Sequence, residues 1–495
     1  MKKIATDICK SITYKINWQN KISNPDITTK WWKEISQQNS IVSYDDFELA
    51  LKLLKELKEY QECVECEAEC GFRCHNDCEN DCEYDCICSH KECCQCEDIM
   101  KVKESKHSNL NPAGVIQIDN MIDIELGNKF KKNIKILEDS NDKDWHPGSN
   151  GQVLDLIHQS LFCYVKGRSE LLSNVSINNY NCQKKIRKSK KSKKLKMEDR
   201  SWLPEYCDID ILNDEESKYQ WLPSEFRVDR EEEDVKVNVE SYINNLDKMK
   251  YEELYEIIAK IFSKFVPLFD KILDERLNGN IQVIVKASNI ILTPSNPKYA
   301  GGVWHLEGMP YENIVGTGIY YYDIDNITES YLEFRKAIED VIYYPQNSVE
   351  YVSKHHGLWN EAPLNEYMGK LEAKTEKCIV FPNIMQHRVA PFELRDKSKM
   401  GYRRILVFFL IDPNNRIIST KDVPIQQETI MREYMNDVLK DIMYKNMIEN
   451  ILNKMNLMTL DEAKKHRERL MYYRKYYVDE INSQIYERPF SLCEH

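Results

Sequence analysis

The chain has 495 residues, a formal net charge of −12, 42% hydrophobic and 30% charged residues, a composition ordinary for a globular protein of one large domain or two to three smaller ones. The acidic balance excludes a wholesale nucleic-acid binder, and no run approaches the roughly 20 apolar residues that span a bilayer. No apolar segment follows Lys2 and Lys3, so a secretory leader is not expected and the expected address is cytoplasmic or nuclear.

Residues 1–62 read as a helical region: Ser43 and Asp46 resemble a capping box, and FELALKLLKELKEY repeats apolar residues at helical spacing. Residues 63–96 carry eleven of the 17 cysteines, largely as C-x3-C between acidic and Asn filler. In a reducing compartment these are free thiols or metal ligands, not a disulfide framework. The paired knuckles of a zinc ribbon are missing, so the stretch reads as a loosely structured insertion.

Residues 97–270 read as mostly helical. DWHPGSNGQVLDLIHQSLF (144–162) predicts a Pro-Gly turn followed by a short helix. Trp145, His146 and His158 are then expected to cap and pack that helix, the alternative being a role in a substrate groove. The basic run KKIRKSKKSKKLK (184–196) lacks apolar periodicity and reads as a solvated loop; a nuclear localisation signal or nucleic-acid contact is the alternative. An acidic run at Asp229 to Asp234 is able to offset it. Tyr251 to Leu277 predicts a helix, with a break or kink at Pro267.

From 271 to 425 the character changes. IQVIVKASNIILTP, GTGIYYYDI, KCIVFP and RRILVFFLID are short β-rich runs between Gly, Pro, Asn and Asp, the pattern of a sandwich or jelly roll. Residues 426–495 return to helix, with Thr459 and Glu462 as a second capping box.

The candidate chemistry lies in the β-rich region. His305 and Glu307 in GGVWHLEG stand two apart, and on a strand such residues share a face and reach one ion. Two imidazoles and one carboxylate on one face of an octahedral ion are the facial triad of non-haem Fe(II) oxygenases. His387, after the buried run CIVFP, fits the third ligand from the opposite wall. A keto acid chelating that iron needs its far carboxylate held, and a guanidinium matches a carboxylate bidentately. Arg403 opens the next strand and takes that role; Arg404 points to the other face. Tyr320 and Tyr322 share one strand face and are candidates to hydrogen-bond the cosubstrate, with a packed aromatic pair as the alternative.

C-I-V-F-P followed by H-x-V-x-P, then G-x-R and an apolar strand ending in Asp, resembles the prolyl-hydroxylase branch of the 2-oxoglutarate oxygenases. Glu307 stands where that branch usually has Asp, and ELRDKSKM lengthens the step from His387 to Arg403. H-x-E is common in Jumonji-type oxygenases, but those lack the Arg clamp. DWHPGSNGQVLDLIHQSL, YQWLPSEF, YAGGVWHLEGMPYENIVGTGIYYYDIDNITES, FPNIMQHRVAPFEL, GYRRILVFFLIDP and SLCEH together resemble the largely fungal domain of unknown function 4246 family, over almost the whole chain. That family brings no substrate with it.

The expectation is therefore an α+β protein with a double-stranded β-helix (jelly-roll, cupin-like) core flanked by N- and C-terminal helices. Its expected activity is that of a dioxygenase using Fe(II) and 2-oxoglutarate on a protein or small-molecule substrate. No membrane partner is expected, and any nucleic-acid contact would fall to the Lys-rich loop. The alternatives are a non-catalytic interaction protein on the same fold and a cupin-type metal enzyme that does not use 2-oxoglutarate.

Overall fold

The structure is a computed structural model that describes residues 21–38, part of 44–55, 112, 114–172, 218–231, 234–338, 352, 358–439 and 441–491. The Cys-rich stretch 63–96 and the Lys-rich run 184–196 lie outside the described residues. The chain divides into two units, residues 1–103 and 104–495.

In the first unit, helix α1 (Pro25–Gln38) begins with proline, whose missing N–H costs nothing there. Ile27, Trp31 and Ile35 recur at four-residue spacing, and the cluster they join includes Phe47, Ala50 and Leu54.

The second unit contains the helices α2 (Ile124–Glu138), α3 (Glu252–Leu273), α4 (Glu428–Leu439), α5 (Lys445–Leu452) and α6 (Leu460–Ile481). Its first strands are β1 (Ile116–Asp119), β2 (Asp144–Trp145), β3 (Val153–Ile157), β4 (Tyr164–Val165), β5 (Tyr219–Gln220), β6 (Ser224–Glu231), β7 (Asp234–Val239) and β8 (Gly279–Leu292). They are followed by β9 (Lys298–Tyr299), β10 (Ile314–Asp325), β11 (Tyr331–Ala337), β12 (Asn365–Glu372), β13 (Lys377–Pro382), β14 (Gln386–Val389), β15 (Phe392–Glu393) and β16 (Gly401–Ile411). The fold is thus mixed α and β around antiparallel strands. Region 97–270, expected to be mostly helical, instead contributes β1 to β7 beside α2 and most of α3.

A nine-stranded sheet runs β1-β13-β10-β16-β8-β3-β2, with β6 pairing β8 and β7; a three-stranded sheet runs β12-β11-β14. Side-chain alternation along β16 explains how they are arranged. Leu406, Phe408 and Leu410 point to one side, where the rings of Phe262 and Phe265 on α3 meet Phe408 edge-on at 5.1 and 5.3 Å. Each such buried ring is worth about 1.5–3 kcal/mol of burial. Val407, Phe409 and Ile411 point to the other side, into an apolar interior shared with Phe334 and Leu332 of β11 and Phe381 of β13. The small sheet therefore packs across this interior from the large one, with Phe334 and Phe381 in edge contact at 5.0 Å.

On β10, Gly318 lets α3 approach: a Cβ there would lie 2.7 Å from Phe265 Cδ1. α3 runs unbroken through Pro267, because Phe262, Phe265 and Phe269 anchor both sides of it in the core. Segment 144–162 also departs from expectation. It forms the hairpin β2–β3, not a helix, because Gly148, Asn150 and Gly151 take the left-handed backbone of a tight turn and VLDLI then pairs with β8. At the C-terminal end, Thr459 caps α6 by accepting from Glu462 N. Among the described residues no helix is long and apolar enough to cross a membrane.

Candidate metal centre

His305 and His387 are brought together by the backbone. They form an antiparallel bridge in which each donates its N–H to the other's carbonyl, at 3.2 and 3.1 Å. Directly paired residues project to the same side, and the two rings lie 4.4 Å apart. Glu307 completes the group: its Oε1 is 3.2 Å from His387 Nε2 and 3.7 Å from His305 Nε2. All three ligand atoms lie within 4.8 Å of one another.

Several residues hold this arrangement. Asn383, just past β13, clamps the Glu307 backbone, accepting from its N–H at 2.9 Å and donating to its carbonyl at 2.9 Å. Gly308 has φ +72° and a Cβ there would sit 2.6 Å from Ile314, so the turn after the ligand demands glycine. Buried Glu312 accepts from Met309 N and Trp221 N and pairs with Arg474 of α6, closing the loop beyond. Asn482, at the end of α6, donates to Trp304 O at 3.1 Å and accepts from Gln386 Nε2 at 2.8 Å, bracing the neighbours of both histidines. None of these supporting residues stood out in the sequence; the partners of Asn383 and Asn482 are distant in the chain, and only the fold identifies them.

The electrostatics suit a carboxylate between imidazoles. Burial pushes Glu307 up, but the hydrogen bonds and charges of His305 and His387 outweigh it and hold the carboxyl well below its usual range. Burial, with His305 beside it, pushes His387 toward the neutral form. His305 Nδ1 lies 2.8 Å from Val303 O, and a carbonyl only accepts, so Nδ1 donates there and Nε2 is the ring atom that faces Glu307; burial opposes a charge on this imidazole, but the Glu307 carboxylate beside it raises its pKa overall. Phe381 and Phe334 flank the His387 ring at 4.9 and 6.3 Å. Two imidazoles and a carboxylate, with one imidazole held by a carbonyl, are a donor set that fits Fe(II).

Arg403 is 2% exposed and lies on the interior face of β16. Its Nη2 donates to Tyr321 Oη at 3.2 Å, its guanidinium lies over the Tyr321 ring, and its Nε has no partner among the described residues. Arg404 takes the outer face and pairs with Glu138 and Asp323. The expected role of Tyr320 and Tyr322 needs correction. Both share the Gly318 face of β10 and are packed toward α2, where Tyr320 bonds Glu376 and Tyr322 donates to Asn289 Oδ1 at 2.9 Å. Tyr321, on the opposite face, is the tyrosine beside Arg403. Lys286 on β8 was not singled out by sequence, yet pairs in register with Val407 and acts electrostatically on His305.

A second group also forms. His146 Nδ1 lies 2.8 Å from Asp155 Oδ2, and His158 Nδ1 lies 3.4 Å from the same oxygen. These histidines cap no helix, contrary to expectation, because β2 and β3 fold them around Asp155; Trp145 is 37% exposed.

No protein with a curated description matches the chain. Among solved structures it is similar to the Fe(II)/(alpha)ketoglutarate-dependent dioxygenase TqaL, at 8% identity over 66% of this chain and 94% of that one, TM-score 0.30. It is also similar to a Trichoplax adhaerens prolyl hydroxylase in complex with a hypoxia inducible factor peptide fragment (11% identity, 65% and 96% covered, TM-score 0.24). A Pseudomonas putida prolyl-4-hydroxylase gives 7% identity, 60% and 92% covered, and TM-score 0.24. The family model described as "Protein of unknown function (DUF4246)" matches residues 90–279 and 274–434, well over half the length, and the chain belongs to that family.

Proposed function

We propose that this protein is an Fe(II)- and 2-oxoglutarate-dependent oxygenase, with its two facing sheets forming a double-stranded β-helix. The observation that carries this reading is the convergence of His305, Glu307 and His387 at one point, with Arg403 buried on the interior face of β16. His305, Glu307 and His387 would hold the iron through two imidazole nitrogens and one carboxylate oxygen. The bound iron supplies oxygen activation: 2-oxoglutarate, O2 and a substrate R–H become succinate, CO2 and R–OH, one oxygen atom ending in succinate and the other in the hydroxyl.

The chain's own groups do the rest. Val303 O holds His305 Nδ1, so that Nε2 would be the ligand atom. Arg403 donates to the far carboxylate of the keto acid, and Tyr321 Oη orients that guanidinium. Phe334 and Phe381 keep water from the His387 side. Arg403 on the interior face favours this reading over a cupin-type enzyme without a keto acid, for which no such buried guanidinium is needed.

The test is oxygen- and Fe(II)-dependent conversion of 2-oxoglutarate to succinate by the full chain, with and without candidate substrates. Succinate formation that is abolished in His387→Ala supports the reading. An iron-loaded, folded protein that consumes no 2-oxoglutarate in any condition contradicts it.

A further inference from the structure

The group around Asp155 presents a problem of charge. Asp155 has a side chain with no solvent exposure and lies on β3, paired in register with Ser288. Among the described residues its buried Oδ1 has no hydrogen-bond partner, and no Lys or Arg lies within 4.0 Å of the carboxylate. Two cations stand near the group and neither pairs with Asp155: Arg467 Nη1 donates to both oxygens of Asp144, at 2.7 and 2.8 Å, and Lys286 acts on Asp155 only through its charge at a distance. A buried carboxylate without a cation is costly, by several kcal/mol on the general scale for such groups. What surrounds Asp155 at contact distance is instead two imidazoles.

We infer that His146, Asp155 and His158 form a second metal site, suited to Zn²⁺ or a similar first-row divalent ion. Two imidazoles and one carboxylate select such ions over Ca²⁺ or Mg²⁺. Tetrahedral Zn²⁺ with bonds near 2.0–2.2 Å places its ligand atoms roughly 3.3–3.5 Å apart. The His158–Asp155 separation of 3.4 Å meets this, and the His146–Asp155 separation of 2.8 Å needs an opening of about half an ångström. Asp144 Oδ2, 3.3 Å from His158 Nδ1, stands beside the group, and its bond to Arg467 holds it as an outer support. Arg467 Nη1 approaches His158 Nδ1 to 3.4 Å, so its charge opposes the ion, as does that of Lys286, and Asp144 neutralises Arg467. The His146 side chain is 31% exposed and gives the ion a way in. The site is independent of the iron reading.

The test is equilibrium dialysis of the metal-stripped full chain against Zn²⁺, with bound metal counted per chain. His146→Gln is the primary variant because its position tolerates change at the surface; Asp155→Asn is the second. The inference expects each to bind one Zn²⁺ fewer than wild type, and His387→Ala to lose a separate one. His146→Gln/His387→Ala should then lose two. Ions held by the cysteines cancel in these differences. Added Zn²⁺ should also raise the melting temperature of His387→Ala more than that of the double variant. Unchanged Zn²⁺ binding in folded His146→Gln overturns the inference.

Discussion

His305 and His387 exchange both of their backbone hydrogen bonds, so the two imidazoles are registered by the main chain before any side chain contributes. Glu307 then needs only to be held at the right height, which Asn383 does through its backbone. The chain from Phe334 and Phe381 to the His387 ring ties the group into the apolar interior.

Removing a ligand should remove the iron. Glu307→Ala and His387→Ala should each weaken Fe(II) binding by more than the roughly 10- to 100-fold typical of losing an outer-shell partner. Anaerobic Fe(II) dialysis measures this, and unchanged affinity in either folded variant would contradict the assignment.

Asn383 supports Glu307 without reaching the ion. Asn383→Ala should lower Fe(II) affinity by about 10- to 100-fold while leaving the 2-oxoglutarate requirement of the iron-loaded protein near that of wild type. A change confined to cosubstrate affinity would place Asn383 elsewhere in the mechanism.

The two faces of β10 should separate in function. Arg403→Ala removes charged hydrogen bonds worth about 1.5–3 kcal/mol each, so the 2-oxoglutarate requirement should rise at least about tenfold. Tyr321→Phe should raise it by less, and Tyr320→Phe, on the helix side, should leave it unchanged. Cosubstrate titration of the three variants decides the order.

Gly318 sets the distance between β10 and α3. Gly318→Val should cost about 1–3 kcal/mol of stability, as overpacking does, because its Cβ lies 2.7 Å from Phe265 Cδ1. Urea unfolding measures it, and Phe265→Ala in the same chain should recover part of the loss.

Acid should expose the Asp144 anchor. Burial raises its pKa, but bonds with His158 and Arg467 bring it down to about 2 in the folded protein, against an unfolded value near 3.9. A depressed carboxyl stabilises above its unfolded pKa and loses that contribution as pH falls toward 2. The stability difference between wild type and Asp144→Asn should therefore be constant above about pH 5 and shrink steadily below pH 4. A difference that does not move with pH would contradict the pairing.

Much of this was legible in the sequence. The four β-rich runs that announced strands are β8, β10, β13 and β16, because β-branched and aromatic residues bounded by Gly, Pro, Asn and Asp leave little choice of structure. His305, Glu307 and His387 were readable as a spacing, and the structure brings them together. The face of β10 was not readable: alternation shows that Tyr320 and Tyr322 go together, but only contact with α2 and α3 shows which side they take. VLDLI was misread as helix since a five-residue apolar run fits either period, and its pairing with β8 decided the matter. Asn383 and Asn482 left no local trace, since each acts on residues far away in the chain.

The measurement that bears most directly on the central claim is anaerobic titration of the Fe(II)-loaded full chain with 2-oxoglutarate, following the metal-to-ligand charge-transfer band. The account predicts a saturable band that vanishes in His387→Ala and needs at least about tenfold more 2-oxoglutarate in Arg403→Ala. A folded, iron-loaded wild type that develops no band at saturating 2-oxoglutarate would contradict it.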